Sequence, residues 1–232
     1  MNGGLYVQYG CGASAPDGWL NFDASPRLRL ERLPLLGALL RATAGPVFPR
    51  NAVPGDIVRG LPVPDGTIRG AYCSHVLEHL ARDDVPTALR NTFRMLMPGG
   101  QFRLVVPDLQ WRAAHYLDAA RNADPTAADA LMEACGLGMR VKERHPTALA
   151  RRQFGCGEHL WMYDFAALRS LLEAAGFAGV RRCEIGDSAD PMFARVEDRG
   201  RFFDSDQSEL AVEAVRPGLE PREAYRPAAV LR

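Results

Sequence analysis

The chain has 232 residues, of which 47% are hydrophobic and 24% are charged, values that are ordinary for a globular protein. Basic and acidic residues each total 28, so the formal charge is zero, and the basic footprint expected of a nucleic-acid binder is missing. No apolar run in the sequence approaches the roughly 18 residues of a membrane span. The five cysteines are scattered and form no Cys-x-x-Cys pair, which argues against a disulfide framework. No secretory signal pattern opens the sequence. We therefore expect a cytoplasmic protein.

The first hundred residues alternate short apolar strands with helical patterns. We predict strands at 5–10, 19–23, 57–58 and 70–74, and helices at 28–42, interrupted by Pro34, and at 85–97. The proline-rich stretch 45–55 is interpreted as a loop. Pro98-Gly99-Gly100 ends the second helix and leads directly into an apolar strand at 102–106. A helix, a glycine turn and a strand in this order form a βαβ crossover, which implies parallel strands.

The second half of the chain begins with a long helical region and then returns to the alternating pattern. We interpret 108–160 as a helical cap inserted after the fifth strand, with Asp124 as an N-cap, Pro125 at the first helical position and Gly136 as a terminator. A helix between Asp164 and Gly176 follows, then strands at 180–185 and 209–215. Residues 216–232 are interpreted as a C-terminal extension. Together these elements predict a single α/β domain with a doubly wound, mostly parallel, seven-stranded sheet.

Polar and glycine-rich segments follow several of the predicted strands. Gly10-Cys11-Gly12 comes after the first strand, Asp23 ends the second, and Ser74 to His79 follows the fourth. In open α/β sheets, ligands bind outside the carboxyl ends of the strands. Glycine there lets the backbone approach a ligand closely, and a carboxylate at the end of the second strand can accept the hydroxyl protons of a ribose. Gly-x-Gly at a strand end is also often only a turn.

Six segments in this order resemble class I S-adenosylmethionine-dependent methyltransferases, and within them the small bacterial methyltransferases of type 11. The segments are Gly10-Cys-Gly12, Gly18-Trp-Leu-Asn-Phe-Asp23, Leu61-Pro-Val-Pro-Asp-Gly66, Ser74-His-Val-Leu-Glu-His79, Arg94-Met-Leu-Met-Pro-Gly-Gly100 and Val106-Pro-Asp108. The resemblance covers roughly residues 5–108 and 158–215. It implies a Rossmann-like fold and S-adenosylmethionine as the cofactor.

The resemblance also implies which residues hold the cofactor. The turn Gly10, Cys11 and Gly12 would line its methionine and ribose parts, and Asp23 would take the ribose hydroxyls. Asp56 stands where the family usually places a polar side chain near the adenine, and Ser74 would border the sulfonium. Gln8 replaces the acid that the superfamily tends to have two residues before the first glycine, and it can still hydrogen-bond the amino-acid end.

The acceptor side is predicted around the histidines. His75 could take a proton from an acceptor hydroxyl, and His159 is the alternative base. His79 would contact the substrate, or Glu78 and His79 would only brace their loop. Trp161 and Tyr163 would stack on a planar or sugar ring, or they would simply pack the start of the next helix. The spacing also resembles the Glu-x-x-Glu-His metal cluster of some quinone O-methyltransferases, but its first glutamate is His75 here, and we expect no metal.

These residues predict an O-methyltransferase for a small-molecule or glycan acceptor, and the resemblance suggests surface-polysaccharide or secondary-metabolite pathways. The alternatives are an NAD(P)-dependent oxidoreductase of the same fold class and a cofactor-binding scaffold without catalysis. The oxidoreductase is disfavoured because Ala-Ser-Ala follows Gly12 where Gly-x-Gly-x-x-Gly would need a third glycine. Apart from the substrate, we expect no nucleic acid as partner, and we consider a second copy of the chain as one.

Overall fold

A computed structural model describes residues 4–44, 48–138, 159–204 and 207–218. The strands are β1 (Leu5–Tyr9), β2 (Leu20–Asp23), β3 (Ala52–Pro54), β4 (Ile68–Ser74), β5 (Leu96–Pro107), β6 (Ala178–Arg182), β7 (Phe203–Asp204) and β8 (Gln207–Val215). The helices are α1 (Pro26–Glu31), α2 (Pro34–Ala44), α3 (Val85–Met95), α4 (Leu109–Arg121), α5 (Ala127–Ala134), α6 (Phe165–Ala174) and α7 (Arg199–Phe202). Short 3₁₀ helices cover Leu77–His79 and Phe193–Arg195.

The strands form one sheet in the order β3-β2-β1-β4-β5-β8-β6, and β7 pairs with β8 beside it. Strands β1 to β5 run parallel, whereas β8 is antiparallel to both β5 and β6. The predicted doubly wound and mostly parallel sheet is therefore confirmed, with β7 as a short additional strand. The order in which successive strands are added to the sheet reverses between β1 and β4, since β2 and β3 lie on one side of β1 and β4 and β5 lie on the other. A crevice at the carboxyl ends of these two strands is the place where such sheets bind ligands.

Both faces of the sheet are covered, and the alternation of side chains along each strand divides the core in two. Val7 and Cys73 lie in the larger cluster with the buried residues of α3 and α6. Tyr6 and Tyr72, one position away on the same strands, lie in the second cluster with Trp19, Phe193 and Phe202. Because the central strands β1, β4 and β5 are buried on both sides over most of their length, their apolar runs are nearly continuous, as is typical of parallel sheets.

The β4-α3-β5 crossover was predicted and is confirmed. The buried residues of α3, which include Val85, Leu89 and Thr92, recur at helical spacing on one face. The helix ends at Met95, two residues earlier than predicted, and Pro98 to Gly100 already belong to β5. Gly99 has a φ of 79°, a left-handed conformation that glycine adopts without steric cost. Strand β5 then pairs with β4 in parallel register from Gly70 opposite Gln101 to Ser74 opposite Val105.

Several predicted boundaries were wrong. The third strand is Ala52–Pro54, inside the predicted loop, whereas Ile57 and Val58 form a turn. Ile57 is apolar because it packs into the main core from that turn, and this apolar character led to the wrong prediction of a strand. The helix after Asp124 begins two residues later than predicted, with Thr126 at the N-cap position, because the Asp124 carboxylate accepts hydrogen bonds from the Thr126 backbone and hydroxyl.

Helices α4 and α5 follow β5, where the cap was predicted. Asp108 begins α4 as a true N-cap, since its Oδ1 accepts hydrogen bonds from the backbone N–H groups of Gln110 and Trp111. Residues 139–158 of the predicted cap and 219–232 of the predicted extension lie outside the described residues. In the part of the chain that is described, no helix combines the length and apolar character needed to cross a lipid bilayer.

Candidate functional site

The loop after β1 contains two glycines with positive φ, and they differ in how much space surrounds them. Gly10 has a φ of 69°, and a Cβ on it would collide with Val76 Cγ2 from the segment after β4. Gly12 has a φ of 55°, but no atom of the described residues lies within 4 Å of the place its Cβ would take. Gly10 is thus needed for packing, whereas Gly12 faces open space at the crevice between β1 and β4.

Asp23, the acid at the end of β2, shapes this loop. Its Oδ2 accepts a hydrogen bond of 3.0 Å from the Gly12 backbone N–H, and its Oδ1 accepts one of 2.8 Å from Ser25. The carboxylate is 8% exposed and has lone pairs left to receive hydroxyl groups. Gly12 and Asp23, which were each predicted to contact the cofactor, are therefore hydrogen-bonded to each other.

Below the loop, Gln8 is fully buried on β1. Its amide nitrogen donates to the Ser14 carbonyl at 3.2 Å, and its Oε1 has no partner among the described residues. A buried acceptor without a partner is uncommon and marks a place where a ligand or water can bind. Cys11 beside it is buried, and burial raises the pKa of its thiol to about 12, so the thiol is neutral and packs rather than reacts.

Arg201 of α7 joins the loops after β1 and β4, and the sequence analysis missed it. Its guanidinium donates to the Cys11 carbonyl at 3.1 Å, and its own carbonyl lies 3.0 Å from His75 Nε2. A cation at this position is suited to bind a carboxylate. Arg201 lies between the strands predicted at 180–185 and 209–215, where no motif distinguishes it from neighbouring arginines.

Together these groups fit the amino-acid and ribose parts of S-adenosylmethionine. They offer open space at Gly12, an unpartnered amide oxygen, a carboxylate and a guanidinium. The other two predicted contacts lie at the same edge of the sheet. Asp56 follows β3 and caps its own turn by accepting from the Val58 N–H at 2.9 Å, and Ser74 is buried at the end of β4.

His75, the first predicted base, has both ring nitrogens engaged. Nδ1 lies 3.2 Å from Glu78 Oε1, and Nε2 lies 3.0 Å from the Arg201 carbonyl. Both partners are acceptors, so both nitrogens carry protons when the two bonds form. Burial lowers the pKa of His75, but the hydrogen bond and the charge of Glu78 outweigh it, and that pKa lies above its usual value.

His159, the alternative base, has a different environment. Its Nδ1 lies 2.7 Å from the Cys135 carbonyl, a bond in which Nδ1 must donate, so Nε2 keeps its lone pair. Burial lowers the pKa of His159 and outweighs that hydrogen bond. Gly136 packs on the ring so closely that a Cβ there would stand 2.7 Å from Nδ1. Gly136, predicted only as a helix terminator, thus makes room for His159.

The remaining predicted residues divide between the site and the core. His79 lies next to His159, with ring centroids 5.1 Å apart, and Glu78 is fully buried between His75 and His79. Trp161 is 48% exposed, and its backbone N–H donates to the Glu78 carbonyl. Tyr163 is only 1% exposed and packs in the main core, so the described geometry favours the packing interpretation for it.

A cavity of about 230 Å³ opens between these histidines and the cap helices. Its lining includes His75, His159, Glu133 and Asp204. Its floor contains Arg112 and Glu209, which pair through two hydrogen bonds of 3.0 Å and are both buried. Neither residue was predicted, because a salt bridge between α4 and β8 spans about 100 positions and leaves no local pattern.

The glycine loop, the acid after β2 and the crevice between β1 and β4 define an α/β enzyme that binds a nucleoside-containing cofactor. A family model described as a methyltransferase domain matches residues 10–181, which is most of the chain. The chain therefore belongs to this methyltransferase family, and its cofactor is S-adenosylmethionine. No curated protein matches the sequence.

The chain is similar to several solved structures at low sequence identity. A SAM-dependent methyltransferase from Methanosarcina mazei is 15% identical with a TM-score of 0.50, over 95% of both chains. The YcgJ protein from Bacillus subtilis is 13% identical with a TM-score of 0.47, over 93% of this chain and 92% of its own. The methyltransferase SibL is 14% identical with a TM-score of 0.46, and the chain spans about half, 51%, of its length.

Proposed function

We propose that the protein transfers a methyl group to a hydroxyl oxygen of a polar small molecule or glycan. The observation that carries this proposal is the cavity of about 230 Å³ bounded by His75 and His159. It lies at the carboxyl edge of the sheet, which also contains the cofactor loop. An acceptor in this cavity would meet the reactive end of a cofactor held at Gly12.

The residues at the end of β1 would hold the cofactor. Arg201 would bind its carboxylate, Gln8 Oε1 would accept from its ammonium group, and Asp23 would accept from its ribose hydroxyls. Asp56 would lie at the adenine end, as its place after β3 suggests, and Ser74 would border the sulfur. When bound, S-adenosylmethionine supplies an electrophilic methyl group. The protein's contribution is to fix donor and acceptor in line, which can lower the barrier by several kcal/mol.

The two histidines proposed as bases differ in what they can do in this conformation. His75 donates from both ring nitrogens, so it would first have to break a bond to Glu78 or Arg201 before accepting a proton. His159 Nε2 has a lone pair and belongs to a residue that lines the cavity. We therefore favour His159 as the residue that accepts the hydrogen bond of the acceptor hydroxyl, with His75 as a positioning residue.

The lining of the cavity supports a polar, uncharged or cationic acceptor. Glu133 and Asp204 contribute carboxylates, which accept hydrogen bonds from hydroxyl groups and repel phosphates, whereas Arg112 balances the charge of Glu209. This charge disfavours nucleic acids as acceptors, in agreement with the neutral net charge of the chain. The exposed ring of Trp161 offers a surface on which a sugar could stack. Polysaccharide or secondary-metabolite precursors would have this chemistry.

Binding and turnover test the proposal in two stages. Calorimetry with S-adenosylmethionine and with NADH should show binding of the first alone. A panel of sugars and phenols is then offered with S-adenosylmethionine, and S-adenosylhomocysteine is measured as the product. Oxygen methylation that falls at least tenfold in His159→Ala supports the proposal. Methylation of amines or thiols only, or full activity of His159→Ala, would contradict it.

A further inference from the structure

Three potential metal ligands meet beside the cavity. Glu78 and His79 come from the 3₁₀ helix after β4, and His159 comes from the segment before α6. One donor atom from each residue lies within 4.8 Å of the other two. Glu78 Oε1 lies 4.0 Å from His79 Nε2, and the two imidazole rings meet at 67°. Donors of a tetrahedral zinc site stand about 3.4 Å apart at metal distances of about 2.0–2.1 Å, so side-chain adjustments of about 1 Å suffice.

The Glu78 carboxylate gives an independent sign of a ligand. The side chain is completely buried, and its Oε2 has no hydrogen-bond partner among the described residues. Leaving one oxygen of a buried carboxylate unpaired costs free energy, because that atom loses its water without replacement. A cation bound at this oxygen would remove the cost.

Two of the three ligands, His159 and Glu78, have hydrogen-bond partners of the kind found in metal sites. Metal-binding histidines commonly donate their second ring N–H to a carbonyl, and His159 Nδ1 has the Cys135 carbonyl at 2.7 Å. Ligating carboxylates are in turn hydrogen-bonded, and Glu78 Oε1 has His75 Nδ1 at 3.2 Å. The Glu78 carbonyl accepts from the N–H groups of Leu160 and Trp161, which ties the two ligand segments together.

We propose that Glu78, His79 and His159 bind one divalent transition-metal ion of the zinc class. Two imidazoles and one carboxylate are a ligand set of zinc sites that keep a fourth position open, whereas Mg²⁺ and Ca²⁺ prefer oxygen ligands. The open position would face the cavity that His159 lines. This proposal replaces the sequence expectation of no metal, and binding of the ion does not depend on which atom the enzyme methylates.

The ion and the base role of His159 exclude each other, because both need the Nε2 lone pair. If the proposed function holds with the ion bound, a coordinated acceptor hydroxyl loses its proton more easily and needs no histidine base. Removal of the ion from the wild-type protein separates the two roles. A free histidine base predicts full turnover in the metal-free protein, whereas a coordinated hydroxyl predicts turnover that is lost with the ion and restored by added Zn²⁺.

Zinc titration of the full-length, metal-free protein tests the site without any methyl acceptor. We expect one Zn²⁺ per chain with at least micromolar affinity, and no response to Mg²⁺. His79→Ala, His159→Ala and Glu78→Gln should each weaken binding at least a hundredfold. His115→Ala is the matched control, because His115 is exposed and stacks on Trp111 away from the cluster.

Cobalt gives a measurement on the wild-type protein that needs no variant to fold. Visible absorption of bound Co²⁺, displaced by Zn²⁺, should report a low-coordinate site with nitrogen ligands. The proposal would be overturned if this spectrum is absent and the wild-type protein binds Zn²⁺ no more tightly than His79→Ala. It would also be overturned if His115→Ala loses as much zinc affinity as the three ligand variants. S-adenosylmethionine is not present in either assay, so failure here is distinct from failure of the proposed function.

Discussion

Two buried clusters of charged residues in this protein differ in how completely their groups are paired. Arg103 on β5 is 1% exposed and donates to Glu197, Asp187 and Glu213 at 2.6–2.8 Å, and also to the Glu184 carbonyl. Glu78, at the carboxyl edge of the sheet, has one oxygen bonded to His75 and the other without a partner among the described residues. The first cluster resembles a finished structural support, and the second resembles a site prepared for a ligand.

The same contrast extends to the backbone around each cluster. Residues 184–202 cover the face of β5 that contains Arg103, and its guanidinium also lies 5.7 Å from the Phe193 ring centroid. At the carboxyl edge, by contrast, Gly12 faces open space and His75 has a left-handed φ of 53°. Strained backbone and unpaired groups persist where function requires them. Stability and binding should therefore respond to mutations in different parts of the molecule.

The largest expected effect comes from Arg103→Met. The change leaves the buried Glu197 carboxylate without its cation and removes one of the two arginines that pair with Glu213, which keeps Arg181. Breaking a buried charge pair typically costs about 3–5 kcal/mol. Urea unfolding followed by circular dichroism measures the loss. Glu78→Gln in the metal-free protein is the comparison, and it should change stability by less than about 1 kcal/mol because it removes an incompletely paired charge at constant shape. Equal losses in the two variants would refute the distinction between the clusters.

Gly10→Ala and Gly12→Ala test, within a single loop, whether one glycine serves the stability of the fold and the other serves cofactor binding. Gly10→Ala should destabilise the fold by about 2 kcal/mol or more, because its Cβ collides with Val76 in a left-handed backbone. Gly12→Ala should cost only about 1 kcal/mol of strain but should weaken S-adenosylmethionine binding at least tenfold. Thermal unfolding and calorimetry measure the two properties. If Gly12→Ala binds the cofactor normally, the open space at Gly12 is not part of its site.

Arg201→Ala should weaken cofactor binding by about tenfold, the loss expected for one charge-assisted hydrogen bond. Arg201→Lys keeps the charge and should recover part of the affinity. The exposed Arg169, which pairs with Glu173 on α6, provides a control through Arg169→Ala. Isothermal titration with S-adenosylhomocysteine measures all three variants. Equal affinity of Arg201→Ala and Arg169→Ala would remove Arg201 from the proposed site.

The smallest expected effect is a pH dependence in the Arg103 cluster. Burial raises the pKa of Asp187, but hydrogen bonds from Arg181 and Arg103 outweigh it and lower that pKa to about 2. The depressed pKa stabilises the fold above the unfolded value of about 3.9, and this contribution disappears as the pH falls toward about 2. Because Asp187 is one-third exposed, solvent screening should keep its share below about 1 kcal/mol. A plot of the free energy of unfolding against pH between pH 5 and 2.5 should be flatter for Asp187→Asn than for the wild type. An unchanged slope would contradict this assignment.

The sequence predicted those parts of the fold that depend on local patterns. Short-range signals come from the apolar strands, the helix before Pro98-Gly99-Gly100 and the acid that ends the second strand, and the sheet built from them is confirmed. The three-residue strand at Ala52 was missed, because so short a strand has no periodicity and gains its pairing only from β2. The start of α5 was missed because Asp124 and Thr126 are both acceptable caps.

The candidate site was predictable only where its residues lie close together in the sequence. Gly10 to Gly12 and His75 to His79 form compact motifs, and both come to the carboxyl edge of the sheet. Arg201 reaches Cys11 across 190 positions, and the Cys135 carbonyl reaches His159 across 24. Such contacts depend on tertiary packing, so the pairing that distinguishes His159 from His75 could not be read from residue types or spacing.

A crystal structure with S-adenosylhomocysteine tests most directly whether the Arg103 cluster is structural and the carboxyl edge of the sheet binds the cofactor. We expect the ligand along Gly10 to Gly12 with its ribose at Asp23, its carboxylate at Arg201, and its sulfur facing the cavity between His75 and His159. The Arg103 cluster should keep its present hydrogen bonds. Ligand bound elsewhere on the protein, or with its sulfur turned away from that cavity, would contradict the proposed site.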